Sequence, residues 1–266
     1  MDLFQIIVLA LVQGITEFLP ISSSGHLVLV PVLTGWKDQG LLMDVAVHVG
    51  TLLAVIAYFW RELMQAAWGL VDLLNRRDTD AAKLALALVI ASIPAIIAGF
   101  ILHELKIMDA LRSAEIIGWT TLVFGIVLWG ADHFGPTGKT FGSLTVSSAI
   151  WIGLAQCLAL IPGTSRSGIT MTAARGLGFN RQDAARFAML LSIPTIAGAG
   201  FLSALDLIES GDAQLTTDAL TAAGLSALAA FTAIALFLKW LQKRSMAPFA
   251  IYRIALGVGL LSWVYL

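Results

Sequence analysis

Apolar residues in this chain come in runs long enough to cross a bilayer, and two of those runs are broken in the middle by polar residues. A spanning helix needs about 20 mostly apolar residues. Six stretches meet that need, at about 41–60, 81–102, 114–131, 187–208, 218–238 and 248–266. Two others do not. Residues 3–34 break at Pro20 and run through Ile21-Ser22-Ser23-Ser24-Gly25-His26, and residues 147–180 break at Pro162-Gly163-Thr164-Ser165-Arg166-Ser167-Gly168. Each half of these segments is too short to span, so each segment is expected to enter the membrane, turn, and leave by the same face. Non-helical backbone is tolerated at membrane depth only where it is buried in protein or lines a polar cavity. The two breaks therefore mark the expected site. The expected fold is an all-α polytopic membrane protein, with six transmembrane helices and two re-entrant helical hairpins in a single membrane domain, residues 1–266.

Composition agrees: 58% of residues are hydrophobic and 12% charged, about half the charge of an ordinary soluble domain. That leaves no room for a soluble domain. A net charge of -1 argues against a nucleic-acid partner, which would demand a basic face. Cys157 is the one cysteine, so no intramolecular disulfide forms, and it reads as a small core residue. The opening Met1-Asp2-Leu3-Phe4 has no basic run, and no removed signal peptide is expected.

Displacing the chain against itself by 143 positions aligns Gln13 with Gln156, Ser22 with Ser165, Ser24 with Ser167 and Gly25 with Gly168. Each half, about 1–135 and 136–266, then reads as one broken hairpin and three spans. Three is odd, so the second half is expected upside down relative to the first, an inverted repeat. Basic residues agree. Arg61, Arg76, Arg77, Lys83, Lys139, Arg175, Arg181, Arg186, Lys239, Lys243 and Arg244 fall on one side of that topology, and only Lys37, Lys106 and Arg112 on the other. The richer side is cytoplasmic by the positive-inside rule, which puts both termini outside. Residues 61–83 read as an amphipathic extension and a charged, solvated turn, and Asn180 with Asp183 as a cap for the helix that follows.

Intramembrane polar groups are costly and usually functional. Gln13 and Glu17 are four apart, on one helical face. Glu17 is a candidate carboxylate; Gln13 is either part of the site or an interhelical hydrogen bonder. Ser23 and His26 are candidates for hydroxyl nucleophile and proton-transfer group, while Ser22 or Ser24 can equally cap the next half-helix. His48, His103 and His133 lack such company and read as structural or interfacial. Arg166 at the second break suits phosphate oxygens with its planar fork, or else neutralises Glu17. Ser165, Ser167 and Thr170 surround it with hydroxyls, and the helix restarting there aims its N-terminus at the same place. One tip thus offers nucleophile and base and the other a phosphate cradle, which suggests hydrolysis of a phosphate ester or anhydride whose tail lies in lipid.

These residues carry a resemblance. Gln13-Gly14-Ile15-Thr16-Glu17 is similar to the [E/Q]-x-x-x-E motif of the undecaprenyl-pyrophosphate phosphatase family, the bacitracin-resistance proteins. Pro20 to His26 resembles its second signature, and Pro162 to Thr170 its P-G-x-S-R-S-x-x-T signature. Further similarity at Asp44 to Leu52 and at Pro248 to Arg253 extends it over essentially the whole chain. The resemblance implies a bacterial inner-membrane enzyme, open to the periplasm, that cleaves a polyprenyl diphosphate to the monophosphate and recycles the peptidoglycan lipid carrier. It implies a divalent cation, Mg or Ca, held by Glu17, with Ser165, Ser167 and Thr170 beside Arg166 on the substrate; Gln13 is auxiliary. Ser23 or His26 is the nucleophile, and a homodimer stays open. The type-2 phosphatidic acid phosphatases also use an S-G-H element and a later S-R, but expect a histidine soon after the latter; Ser165-Arg166 is followed by Ser167-Gly168-Ile169-Thr170. A lipid flippase, alone or combined with the phosphatase, is the alternative from another class.

Overall fold

A computed structural model describes residues 2–105, 111, 113–210 and 213–266, with backbone alone at 41, 103, 199–210 and 213–214. Lys106 and Arg112, counted above among the outer basic residues, and the His103 side chain lie outside the described set. The described chain is all-helical and holds no strand; a lone bridge joins Lys139 and Phe179.

The first broken segment is α1 (Leu3–Thr16) and α2 (Ser23–Thr34); the second is α7 (Val146–Cys157) and α8 (Arg166–Gly176). Between and after them come α3 (Leu41–Tyr58), α4 (Trp60–Leu74), α5 (Asp80–Glu104), α6 (Ala114–Phe134), α9 (Arg181–Ser210), α10 (Ala213–Leu241) and α11 (Ala247–Tyr265). Among the described residues, four helices are long and apolar enough to cross a membrane, within α5, α6, α10 and α11, or five if the bent pair α3 and α4 counts as one span. The protein is therefore a multi-pass helical membrane protein. Both broken segments appear as pairs of short helices, as the interrupted apolar pattern predicts. α9 starts earlier than the expected span, at Arg181, because Asn180 caps it: its Oδ1 accepts from the Asp183 amide at 2.9 Å.

The amphipathic extension is the helix α4, which turns 81° from α3, and the charged turn is confined to residues 75–79 before α5 begins. The inner side of α4 packs on α5, where Gly69 approaches the Ala81 carbonyl too closely for any Cβ, and Glu62 pairs with Arg186 at 2.8 Å. Its outer side exposes Trp60, Met64 and Trp68, the composition of a helix lying in the membrane interface.

The two halves are interleaved. α1 packs on α10 and α7 on α5, so each hairpin leans on a span of the other half. Glycine allows both crossings: a Cβ on Gly14 would meet Ala229 Cβ at 2.6 Å, and one on Gly153 the Ala91 carbonyl oxygen at 2.7 Å. α3 meets α9, and α6 lies along α11. The main apolar cluster, with Val55, Phe59, Leu128, Ile152, Met171, Leu190 and Ile234, also takes in Phe18, so the residue next to Glu17 is anchored in the core.

Two buried arginines lock the tips and their supports. Arg175, counted above as a loop cation, is fully buried; it contacts Asp132 Oδ1 at 3.3 Å and the Phe179, Pro136 and Gly135 carbonyls. Asp132 Oδ1 also takes Arg181 Nε at 2.7 Å, and its Oδ2 the Met246 amide at 2.9 Å, which ties α6, α8, α9 and α11. Arg253 on α11 is likewise fully buried.

Candidate active site

The two breaks meet. Glu17 ends α1, and its Oε1 accepts from Arg166 Nη2 at 2.5 Å across the interface between the two hairpins. Ser167 Oγ donates to the Leu19 carbonyl at 2.9 Å, a second tie between the tips. Behind both, Arg253 Nη2 donates to the Gly163 and Thr164 carbonyls at 3.0 and 2.8 Å, while Nη1 reaches the Pro20 carbonyl at 3.5 Å. A single guanidinium thus holds the backbone of both loops, as its rigid fork of donors permits.

The tips are built alike. Ser22 and Ser165, aligned by the repeat, both have positive φ, 73° and 69°. In each, the hydroxyl accepts from the amide three residues on, Gly25 at 3.3 Å and Gly168 at 3.0 Å, capping the restarting helix. A non-glycine residue in this region costs on the order of 1–3 kcal/mol and persists only where its surroundings fix it. The cap offsets about 1 kcal/mol of that. The result is a pair of helix N-termini, of α2 and α8, directed at the tips, where unpaired amides and the helix dipole favour an anion.

A cavity of about 460 Å³ opens over this junction. Glu17, Ser23, Ser24, Asp44, His48 and Arg166 supply polar wall, and Leu27, Val28, Val45, Leu160 and Ile196 apolar wall. Glu17 is 7% exposed. Its Oε2 accepts from Ser23 Oγ at 2.5 Å and from Gln13 Nε2 at 2.9 Å. An ionised carboxylate only accepts, so the Ser23 proton points at Glu17 and the serine lone pairs are left for the cavity. Arg166 spends one further donor on the Ala188 carbonyl at 3.1 Å, and a guanidinium has five N–H groups in all.

Of the other sequence candidates, Gln13, Ser167, Thr170 and His26 lie apart from that wall. Gln13 is fully buried; it holds Glu17 through Nε2, and its Oε1 has no partner. Its repeat mate Gln156 instead donates to the Ala91 carbonyl at 3.3 Å. Ser165 lines the cavity as a cap, whereas Ser167 faces Leu19 and Thr170, fully buried, donates to the Arg166 carbonyl at 2.8 Å. His26 turns toward α11: Nδ1 contacts the Ser22 carbonyl at 2.7 Å, Nε2 meets Tyr252 Oη at 2.6 Å, and the rings stack.

Sequence reasoning gave His48 no polar company, and the structure places it on the cavity wall beside Glu17. Its Nδ1 lies 2.6 Å from the Asp44 carbonyl, which can only accept, so Nδ1 carries a proton; Nε2 is 3.7 Å from Glu17 Oε2 on the cavity wall. The signal was present: Asp44 and His48 are four apart, hence on one face of an apolar span. Arg253, a lone cation in an apolar run, carried the same signal. His133 stacks on Trp129 at 5.2 Å and is exposed.

The donor set does not fit a resident Mg or Ca. Both Glu17 oxygens are occupied by donors, and among the described residues no three His, Cys, Asp or Glu side chains group as metal ligands. Such ions need six or more oxygens.

Comparison with known proteins points the same way as the tips. The model of the bacitracin resistance protein BacA family matches residues 6–259. A protein named undecaprenyl-diphosphatase from Jannaschia sp. (strain CCS1) is 54% identical over 266 residues, covering 100% of both chains. Proteins of the same name from Ruegeria pomeroyi and Alcanivorax borkumensis are 50% and 52% identical, covering 100% and 99% of this chain and 100% of theirs. A likeness that runs the length of the chain and includes both glutamate- and arginine-bearing breaks places this protein in the BacA bacitracin resistance family.

Proposed function

We propose that this protein hydrolyses undecaprenyl diphosphate to undecaprenyl phosphate and inorganic phosphate, recycling the lipid carrier of peptidoglycan synthesis and so conferring bacitracin resistance. The names of its full-length relatives support the reaction. The observation that carries it is the Ser23 hydroxyl, 2.5 Å from Glu17 and on the same cavity wall as Arg166.

In this reading Ser23 Oγ attacks the terminal phosphorus while Glu17 takes its proton. The bond from that phosphorus to the bridging oxygen breaks, and undecaprenyl phosphate leaves with the electron pair. Arg166 and the N-termini of α2 and α8 stabilise the phosphoryl oxygens as charge develops. Glu17 passes the Ser23 proton to the departing lipid phosphate; water then attacks the phosphoserine, giving one proton to Glu17, which returns it to Ser23 Oγ as the serine–phosphorus bond breaks and inorganic phosphate leaves. Ser23 is favoured over His26 as nucleophile because both His26 nitrogens are engaged away from the cavity. The apolar wall takes the first isoprenoid units, and the tail stays in lipid. A divalent cation, Mg or Ca, would screen the diphosphate's charge.

The finer topology belongs to the same proposal: six spans and two re-entrant hairpins as an inverted repeat in the bacterial inner membrane, with the cavity open to the periplasm. The basic-residue asymmetry and the crossed packing of α1 on α10 and α7 on α5 support it. The test is phosphate release from undecaprenyl diphosphate in detergent. Ser23→Ala should lose several orders of magnitude while remaining folded. If Ser23→Ala keeps near-normal rates and His26→Ala is inactive, histidine replaces serine; lipid translocation without phosphate release would end the hydrolase reading.

A further inference from the structure

A second concavity lies on the far side of α1 from the catalytic cavity and shares no lining residue with it. Leu11 and Ile15 are four apart and face away from Gln13 and Glu17 of the same helix. With Leu228, Leu236 and Trp240 of α10 and Phe249 of α11 they line an apolar groove of about 660 Å³. Its lining on α10 runs from Leu225 to Trp240, a helix length of roughly 22 Å. That exceeds half of a hydrocarbon core about 30 Å thick, so a chain from one leaflet fits along it. The end of the groove at Trp240 is basic. Lys239 precedes that residue, and Lys243 and Arg244 follow it, their amides both donating to the Trp240 carbonyl at 3.2 and 3.0 Å. All three cations are exposed, and among the described residues none has a side-chain partner. No Asp or Glu follows Asp218 in the chain. Asp132, the acid that reaches the α10–α11 turn, is spent on Arg175, Arg181 and the Met246 amide. The Trp240 indole donates to the Ser245 carbonyl at 3.0 Å, which fixes its ring; tryptophan favours the boundary between hydrocarbon and headgroups.

We propose that this groove binds one anionic phospholipid, from the leaflet on the side of the α10–α11 turn. One acyl chain lies against α1 and α10, and the phosphate sits at Lys243 and Arg244, with Lys239 adding to the positive field. The apolar lining supplies contact area, and the unbalanced cations supply selection. A Lys or Arg beside the membrane surface attracts anionic lipid, whereas a zwitterionic headgroup brings a cation of its own to a place that already has three. A second copy of this chain is the poorer occupant. A two-fold axis along the membrane normal would set the same cations at the same depth on both sides, with no acid between them. The proposal stands apart from the hydrolase reading, since none of these residues lines the catalytic cavity.

The experiment is native mass spectrometry of the full chain in detergent, titrated with dioleoyl phosphatidylglycerol and, as a control with identical chains, dioleoyl phosphatidylcholine. Wild type should retain one phosphatidylglycerol per chain about tenfold or more tighter than phosphatidylcholine. Lys243→Gln combined with Arg244→Gln should abolish that preference, while Lys243→Arg combined with Arg244→Lys, which keeps both charges, should preserve it. Thr232→Trp, which fills the groove from an exposed position on α10, should weaken binding of both lipids. Equal affinity of the wild type for the two lipids would overturn the proposal, whatever the variants do. So would a preference that survives the paired glutamine substitutions. A mass of two chains that Thr232→Trp returns to one would also overturn it, and would make the groove a contact between copies.

Discussion

Replacing Arg253 should damage catalysis far more than folding. Its side chain is fully buried, and no carboxylate pairs with it among the described residues; its partners are the Thr121, Gly163, Thr164 and Pro20 carbonyls. Hydrogen bonds from a charged group contribute about 1.5–3 kcal/mol each. Counting only the two shorter ones, to Gly163 and Thr164, roughly 3–6 kcal/mol fixes the second tip. Arg253→Met forfeits this but removes an unpaired buried cation, whose desolvation cost it recovers. The two effects oppose each other in global stability, yet the lost hydrogen bonds loosen the geometry that holds Arg166 over Glu17. If about 3 kcal/mol of the lost fixing falls on the transition state, kcat drops about 10²-fold. Arg253→Lys keeps the charge without the fork that reaches both tips, so its kcat should lie between wild type and Arg253→Met. The assay is kcat and KM for phosphate release, with Tm measured on the same detergent samples. Near wild-type kcat in Arg253→Met would refute the reasoning, as would a Tm loss so large that inactivity merely reports unfolding in Lys and Met variants alike.

Arg166→Lys should lose most activity, chiefly in kcat, because an ammonium cannot make the bidentate contact that a transferring phosphoryl group favours; a nearly active lysine variant would show the pair with Glu17 to be structural. His48→Ala should lower kcat/KM about tenfold or more while Ser23 and Glu17 stay in place, and an unchanged rate would leave the imidazole as wall only. Cysteine labelling should find both termini periplasmic and the 61–83 and 239–247 segments cytoplasmic, and a cytoplasmic C-terminus would break the inverted-repeat model.

Much of the site was legible because the bilayer penalises what chemistry needs. Glu17 and Arg166 stood out as charges inside apolar runs, and Ser23 and His26 as polar residues at a break. The repeat foretold that the two tips would be built alike, as the matching caps at Ser22 and Ser165 are. Local pattern could not assign directions. His26 sits three residues after Ser23, yet its ring is taken by Tyr252 of α11, a partner 226 residues on that no local spacing reveals. His48 comes from a separate span, and only the packing of α1 against α3 brings it to Glu17.

What the sequence determined by itself was the solvent, the helices, the two breaks and the residue types at them. Each of these follows from local hydropathy and backbone chemistry: an apolar run of sufficient length must be helical in lipid, and a break in it must be sheltered. What the tertiary structure alone decided was which polar groups share one cavity. Thr170 and Ser167, so close to Arg166 in sequence, spend their hydroxyls on backbone carbonyls, while Asp44 and His48 line the wall and Arg253 ties the loops from behind. The reason is physical. A side chain's direction is set by the turn of its helix, but what it meets is set by the long-range crossings, here those that Gly14 and Gly153 make close enough for each hairpin to lean on the other half.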